Sequence, residues 1–260
     1  MPYFEKRIYS GNVLEVERYY ATKGGRPLGS RNTCESSTAQ DELNSMQSWR
    51  KLWRMLNCNF SRSAGDLCIT LRFSRMVNAA EANRQYTAFM RRIRAARKKR
   101  GMDDLRYIIV REIQSGKHHA HMVLNAGLSL EELTQLWGQG ILWGALLDDT
   151  NNHKELARYL SRQHKQRRGG NSTENAKEPH QKGQRRWTCS RNLKKPIVKK
   201  RPCRPVTVHT MPRAPKGYEL TPEFWRDADS MGNMWIRWIC RKMPATAQKR
   251  KSTRHGRMIC

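Results

Sequence analysis

The sequence predicts an α+β protein with a central antiparallel sheet and helices packed on one face. The first observation is that apolar residues change repeatedly between strand and helix spacing along residues 41–165. The second is a pair of strand-like segments joined only by a tight turn at Ser115 and Gly116, which forces antiparallel pairing. The third is that the predicted strands alternate apolar and polar side chains, so one face of the sheet is suited to helices.

The first predicted elements are a helix, a strand and a second helix. Apolar residues recur at helical spacing over 41–57, and "GDLCITLRF" alternates as a half-buried strand does. Residues 79–100 carry an apolar stripe at i, i+3, i+4 and i+7, and Gly101 is a typical helix stop.

A hairpin and a further helix–strand–helix series follow. "LRYIIVREIQ" and "HHAHMVLN" form the two hairpin strands. Ser129 opens a capping box for a short helix that ends near Trp137. "GILWGALL" then predicts a strand, and "NHKELARYLSRQHK" predicts a helix whose buried side contains Leu156 and Leu160.

The flanking regions show weaker patterns. "RRWTCSR" and "PVTVH" are possible strands, and "NMWIRWICR" is a strand-like segment with two tryptophans. We therefore expect an N-terminal extension at 1–40, a main domain at 41–210, a strand-like extension at 211–242 and a basic, disordered tail at 243–260.

The composition indicates a polyanion-binding protein. The chain has 51 Lys and Arg against 22 Asp and Glu, a formal net charge of +29. Such an excess favours nucleic acid as partner. No apolar run is long enough to span a membrane and the N-terminus lacks a signal-peptide core, so we expect a cytoplasmic protein. Seven scattered cysteines without a C-x-x-C pair argue against a zinc ribbon and a disulfide framework.

The segment "GKHHAHMVLN" contains the candidate metal ligands. Alternation along a strand places His119 and His121 on one face and His118 on the other. If the hairpin turn is centred between Ser115 and Gly116, Glu112 lies directly opposite His119. Two imidazoles and a carboxylate suit Mg, Mn or Zn.

Other interpretations of these residues remain open at this stage. Histidines on an open basic sheet also serve as plain nucleic-acid contacts. Thr70, on the polar side of the first strand with Arg72, either hydrogen-bonds a metal ligand or a phosphate, or is an ordinary strand residue.

A metal site on a cationic protein suggests phosphoryl transfer, which needs a nucleophile. Tyr159 is the candidate, although tyrosines beside such a leucine stripe commonly just pack. Its phenol is weakly nucleophilic at neutral pH, and nearby cations, including Arg162 and Lys165, would assist attack. DNA contacts are expected from Thr70, Arg72 and Lys165, and from the cationic end of the second helix, namely Arg91, Arg92, Arg94 and Lys98. For that helix end, a solvated face is an equally open interpretation.

Five segments together resemble the HUH endonucleases, and among them the rolling-circle replication initiators of phages and plasmids. Three of them, in the order of the family's motifs, are "DLCITLRF", "REIQSGKHHAHMVLN" and "ELARYLSRQHK". The flanking "WRKLWRMLNCNF" and "RRWTCSRNLKKP" are similar to replication-associated proteins of bacterial phages and prophages. Two departures are Arg162, where the family frequently has lysine, and Arg72, where a second threonine is common.

The resemblance implies an HUH/RRM-like nuclease domain and a nickase that cuts and rejoins single-stranded DNA at a replication origin. It implies His119, His121 and Glu112 as ligands of Mg or Mn, and Tyr159 as the nucleophile that forms a 5′-phosphotyrosyl link. Because the chain has no P-loop, helicase activity would come from a host partner, and a host polymerase would extend the freed 3′ end. The alternatives are a single-tyrosine HUH transposase, a plasmid relaxase or a non-catalytic nucleic-acid-binding protein.

Overall fold

The computed structural model describes residues 3–21, 38–114, 116–150, 152–161, 186–228 and 231–244. The chain divides into two compact units, one within Ser36–Lys195 and one formed by Met1–Glu35 together with Pro196–Cys260. Each unit contains a five-stranded antiparallel sheet, and the α+β class predicted from the sequence is confirmed. Among the described residues, no helix is long and apolar enough to cross a membrane.

The Ser36–Lys195 unit contains every described α-helix. Its helices are α1 (Thr38–Asn59), α2 (Ala79–Lys99), α3 (Leu130–Trp137) and α4 (Lys154–Ser161). Its strands are β3 (Leu67–Arg72), β4 (Tyr107–Gln114), β5 (Lys117–Leu124), β6 (Leu142–Leu146) and β7 (Thr188–Cys189). They are arranged in the order β6-β3-β5-β4-β7, so the hairpin β4–β5 lies inside the sheet and β6 lies at an edge.

Local sequence signals account for the helix boundaries. Asn78 caps the N-terminus of α2. The helix ends just before Gly101, whose φ of 64° favours glycine. Ser129 forms the predicted capping box with Glu132, and Gly138 ends α3 in the left-handed conformation.

One face of this sheet packs against α2 and α3. The shared core contains alternate residues of the strands and the apolar stripes of both helices, including Ile69, Leu71, Phe89, Ile93, Ile109, Met122, Leu133 and Trp137. Since Ile108, Ile109 and Val110 are all at most 2% exposed, β4 is buried on both faces. The continuous apolar run "YIIV" is the sequence signature of a strand covered on both sides.

The second unit forms a separate sheet that the sequence patterns did not predict. It consists of β1 (Tyr3–Ser10), β2 (Val13–Tyr20), β8 (Ile197–Cys203), β9 (Tyr218–Ala228) and β10 (Met234–Lys242), in the order β8-β1-β2-β10-β9. Thus the segment 197–203, which we expected within the 41–210 region, pairs with the N-terminal strand β1. The β1–β2 hairpin turns at Gly11, whose φ is 58°.

The segment "PVTVH" is not the strand that we considered possible. Residues Pro205–Val208 form a 3-10 helix with proline in its first turn. Proline has no backbone N–H to donate to a strand, and its fixed φ suits the start of a helix. By contrast, the expected strands at 185–191 and 233–241 are present as β7 and β10.

Buried acids in the second unit are neutralised by arginines. Glu5 is 1% exposed and accepts hydrogen bonds from Arg7, Arg18 and Arg201. Burial alone would raise the pKa of the Glu5 carboxyl, but the hydrogen bonds from Arg18 and Arg201 lower it below its ordinary value. Several of this unit's positive charges are therefore committed to internal ion pairing.

We predict that Phe89→Ala lowers the free energy of unfolding by about 3–5 kcal/mol, because Phe89 is fully buried against Trp137. Urea unfolding followed by tryptophan fluorescence measures this change. Met76→Ala is the control, because Met76 is 60% exposed and its loss should change stability by no more than about 0.5 kcal/mol. A loss below about 1 kcal/mol for Phe89→Ala would contradict the assigned core.

Candidate active site

The β4–β5 hairpin brings one acid and two histidines to the same face of the sheet. In its register Glu112 pairs with His119, and Val110 pairs with His121. Directly opposed residues in an antiparallel pair share a face, so Glu112, His119 and His121 all project to one side. The pairing predicted from the position of the turn is confirmed.

The side-chain atoms of these three residues are close enough to hold one metal ion. His119 Nε2 lies 2.8 Å from Glu112 Oε2, and His121 Nε2 lies 3.7 Å from Glu112 Oε1. All three ligand atoms lie within 4.8 Å of one another. Two ligand atoms that each lie about 2 Å from the same ion are roughly 3 Å apart, so these three side chains need to move little to bind one ion.

The donor set contains nitrogen and oxygen atoms. Cys68 lies on the same face of β3, two residues before Thr70. Burial raises the pKa of the Cys68 thiol to about 11, so it remains a neutral thiol at physiological pH. Two imidazoles and a carboxylate are a fitting set for Mg, Mn or Zn.

Thr70 orients one of the two imidazoles. It pairs with His121 across β3 and β5, and its Oγ1 lies 3.0 Å from His121 Nδ1. When Thr70 Oγ1 accepts the Nδ1 proton, the lone pair of His121 is on Nε2, the nitrogen that faces Glu112. The structure shows the hydrogen bond to the candidate ligand His121, and contact of Thr70 with a phosphate stays a prediction.

The histidine face is covered rather than open as we expected. Glu112, His119 and His121 are only 7%, 6% and 5% exposed. Apolar residues on this face, such as Val110 and Val123, are also buried, and α4 lies above His121. A buried carboxylate requires a polar or charged partner, and here it has the two imidazoles.

Tyr159 on α4 lies at the edge of this cluster. Its ring centroid is 5.2 Å from that of His121, in an edge-on arrangement. The Tyr159 side chain is nevertheless 52% exposed, so a substrate can reach it. Desolvation and the nearby Glu112 carboxylate raise the pKa of its phenol, while Arg72 opposes that shift. Tyr159 is therefore protonated at neutral pH.

The N-terminal end of α4 is anchored by α1 and by the residue that follows α1. The His153 N–H donates to Asn57 Oδ1 at 2.9 Å, and His153 Nε2 donates to the Phe60 carbonyl at 2.8 Å. Trp53 Nε1 also donates to Asn152 Oδ1 at 2.9 Å. We did not single out His153 from the sequence, since these partners are distant along the chain and leave no local pattern.

The other residues considered from the sequence lie in different places. Arg72 pairs with His119 in the β3–β5 register and is exposed beside the cluster. The cationic end of α2 lies across the sheet from the histidines, because α2 packs on the opposite face; its candidate residues are Arg91, Arg92, Arg94 and Lys98. Arg162 and Lys165 lie outside the described residues.

The fold and the cluster together define an α+β domain in which a histidine–carboxylate set can hold a metal ion next to a tyrosine. Residues 66–167 match the family model of the replication-associated protein ORF2/G2P. The matched segment begins next to β3 and includes Glu112, both histidines and Tyr159, and the match supports a replication initiator family. No curated protein and no solved structure shows significant similarity to the chain.

We predict that Thr70→Val weakens Mn²⁺ binding by about 10–100-fold, because His121 loses the hydrogen bond that orients its ring. Titration calorimetry of the metal against the whole protein measures this affinity. His118→Ala is the matched control, since His118 is on the same strand but on the opposite face, and it should bind Mn²⁺ as the unmodified protein does. Equal affinities for Thr70→Val and the unmodified protein would exclude the orienting role.

Proposed function

We propose that this protein initiates rolling-circle DNA replication by nicking and rejoining single-stranded DNA at an origin. The observation that carries the proposal is the position of Tyr159, accessible to solvent and packed against one of two histidines that share a buried carboxylate. The family match over residues 66–167 supports a role in replication. The net charge of +29 supports a polyanionic substrate.

In this proposal Glu112, His119 and His121 hold a divalent ion, Mg or Mn. A bound ion supplies Lewis-acid polarisation of the scissile phosphate. Thr70 keeps the His121 ring in the orientation that presents Nε2 to the cluster. The low exposure of the three ligands limits the water around them, which strengthens the electrostatic interactions that they make.

Tyr159 is the nucleophile in the proposed reaction. Its phenolic oxygen attacks the scissile phosphorus, a bond from tyrosine to the 5′-phosphate forms, and the bond from phosphorus to the 3′ oxygen breaks. The phenol releases its proton as it attacks, and the departing 3′ oxygen gains one to become a hydroxyl. Because the phosphodiester count is unchanged, rejoining requires no ATP.

The remaining parts of the proposal concern binding and partners. Arg72 lies next to the cluster and is suited to contact the substrate phosphates, whereas Arg91, Arg92, Arg94 and Lys98 would contact DNA away from the cleavage site. Arg162 and Lys165 would add positive charge after Tyr159. We place the nickase within the Ser36–Lys195 unit and propose that it acts in the bacterial cytoplasm with a host helicase and polymerase.

The first test is covalent trapping by Tyr159. Incubating the protein with Mn²⁺ and a 3′-labelled single-stranded origin oligonucleotide should give a labelled adduct that resists SDS, and Tyr159→Phe should abolish it. A 5′ label should appear only on the freed fragment, because the tyrosine retains the 5′-phosphate. Tyr218→Phe, in the other unit, is the control and should still form the adduct. An undiminished adduct in Tyr159→Phe would exclude this nucleophile.

The second test separates cleavage from binding. Changing both His119 and His121 to alanine should abolish Mn²⁺-dependent cleavage but leave DNA affinity, and its decrease with salt, close to that of the unmodified protein. Cleavage gels and fluorescence anisotropy at several salt concentrations measure the two properties. If the double variant loses affinity in step with cleavage, the histidines are DNA contacts and the non-catalytic alternative is favoured.

A further inference from the structure

An exposed tryptophan lies on the same face of the sheet as the histidine cluster. Trp143, on the edge strand β6, pairs with Thr70, and Thr70 pairs with His121. Opposed side chains share a face, so Trp143, Thr70 and His121 form one row across three neighbouring strands. At the usual strand spacing, the backbones of Trp143 and His121 are about 10 Å apart.

The Trp143 ring is exposed and also held in position. It is 49% exposed, although a side chain of this size usually buries most of its surface. The Arg72 guanidinium lies over the ring, 5.0 Å from its centroid, in a cation–π contact. Arg72 is itself next to His119 in the register, and it is close enough to Tyr159 to oppose the rise in the pKa of its phenol. Trp143 and Arg72 together therefore extend from the edge of the sheet to the histidine cluster.

We propose that Trp143, backed by Arg72, is a stacking platform for an unpaired base of the single-stranded substrate near the scissile phosphate. This inference rests on the proposed function, since it concerns the substrate of the same site. An aromatic ring accepts any base on its exposed face, while the adjacent guanidinium favours the phosphate backbone. Duplex DNA keeps its bases stacked on one another, so such a platform selects for single strands.

The position of the pair favours a base over an apolar protein partner. A partner that covered Trp143 and the neighbouring exposed Ile141 would also have to cover Arg72 and the approach to Tyr159. A base flanked by phosphates matches both chemical properties of the pair, an aromatic face and a cation. Trp143 would be a positioning residue, because it contacts a part of the substrate that does not react.

Trp143→Ala provides the test, in chelator so that no cleavage is needed. It should weaken binding of a short oligothymidine by about tenfold and leave binding of an abasic sugar–phosphate oligomer of the same length unchanged. Trp143→Phe, which retains an aromatic face, should restore most of the affinity. The matched control is Trp225→Ala, which removes an exposed tryptophan with an arginine over its ring in the other unit and should change neither affinity.

Several outcomes would contradict the proposal that Trp143 is a stacking platform. They are an unchanged oligothymidine affinity, equal losses for both oligomers, equal losses for Trp143→Ala and Trp225→Ala, or a Trp143→Phe variant as weak as alanine. If Trp143→Ala does not fold, photocrosslinking of the unmodified protein to 5-iodouracil DNA decides the question, because the crosslink must map to Trp143.

Together with the Mn²⁺-dependent adduct assay, this binding experiment distinguishes the inference from the proposed nicking activity. A base-dependent loss without any Tyr159 adduct would show a single-strand binder that does not cut. An adduct with no effect of Trp143→Ala would retain the nickase and exclude the platform.

Discussion

Backbone pairing between β4 and β5 is the constraint on which the site depends. Because Gln114 pairs with Lys117, Glu112 faces His119; a slip of one residue would place Arg111 or Ile113 there instead. A guanidinium or an alkyl side chain cannot complete a set of metal ligands. β3 supports the register from the other side of β5, because Thr70 meets His121 only in this alignment. The chemistry of the cluster is thus a consequence of strand alignment.

Two buried glutamates of the second unit and the buried Glu112 have different kinds of partner. In the second unit Glu5 and Glu15 are paired with arginines, whose permanent charge neutralises them. Glu112 is instead surrounded by imidazoles, which can be neutral and can donate electron pairs to a cation. The two arrangements bury a similar group, but only the second leaves a place for an added positive ion.

Local patterns in the sequence predicted the features that arise from neighbouring residues. Helix and strand periods located α1 to α4 and β3 to β6, and the two-residue turn gave the Glu112–His119 pairing. Contacts between distant segments were not predictable. The pairing of β1 with β8 and the anchoring of α4 by Asn57 join residues far apart in the chain. The covering of the histidine face depends on such a contact, although the apolar run in β4 indicated burial on both faces.

All three candidate ligands belong to one hairpin, and this affects the order in which the molecule folds. Closing a short loop costs little chain entropy, and hairpins form in about 1–10 μs. Tyr159 reaches the cluster only after β3, α1 and α4 have docked, which requires contacts of much larger sequence separation. We therefore expect the β4–β5 pairing, which carries the three candidate ligands, to form before Tyr159 docks against it. The proposed nucleophile thus joins the cluster only when the rest of this unit has assembled.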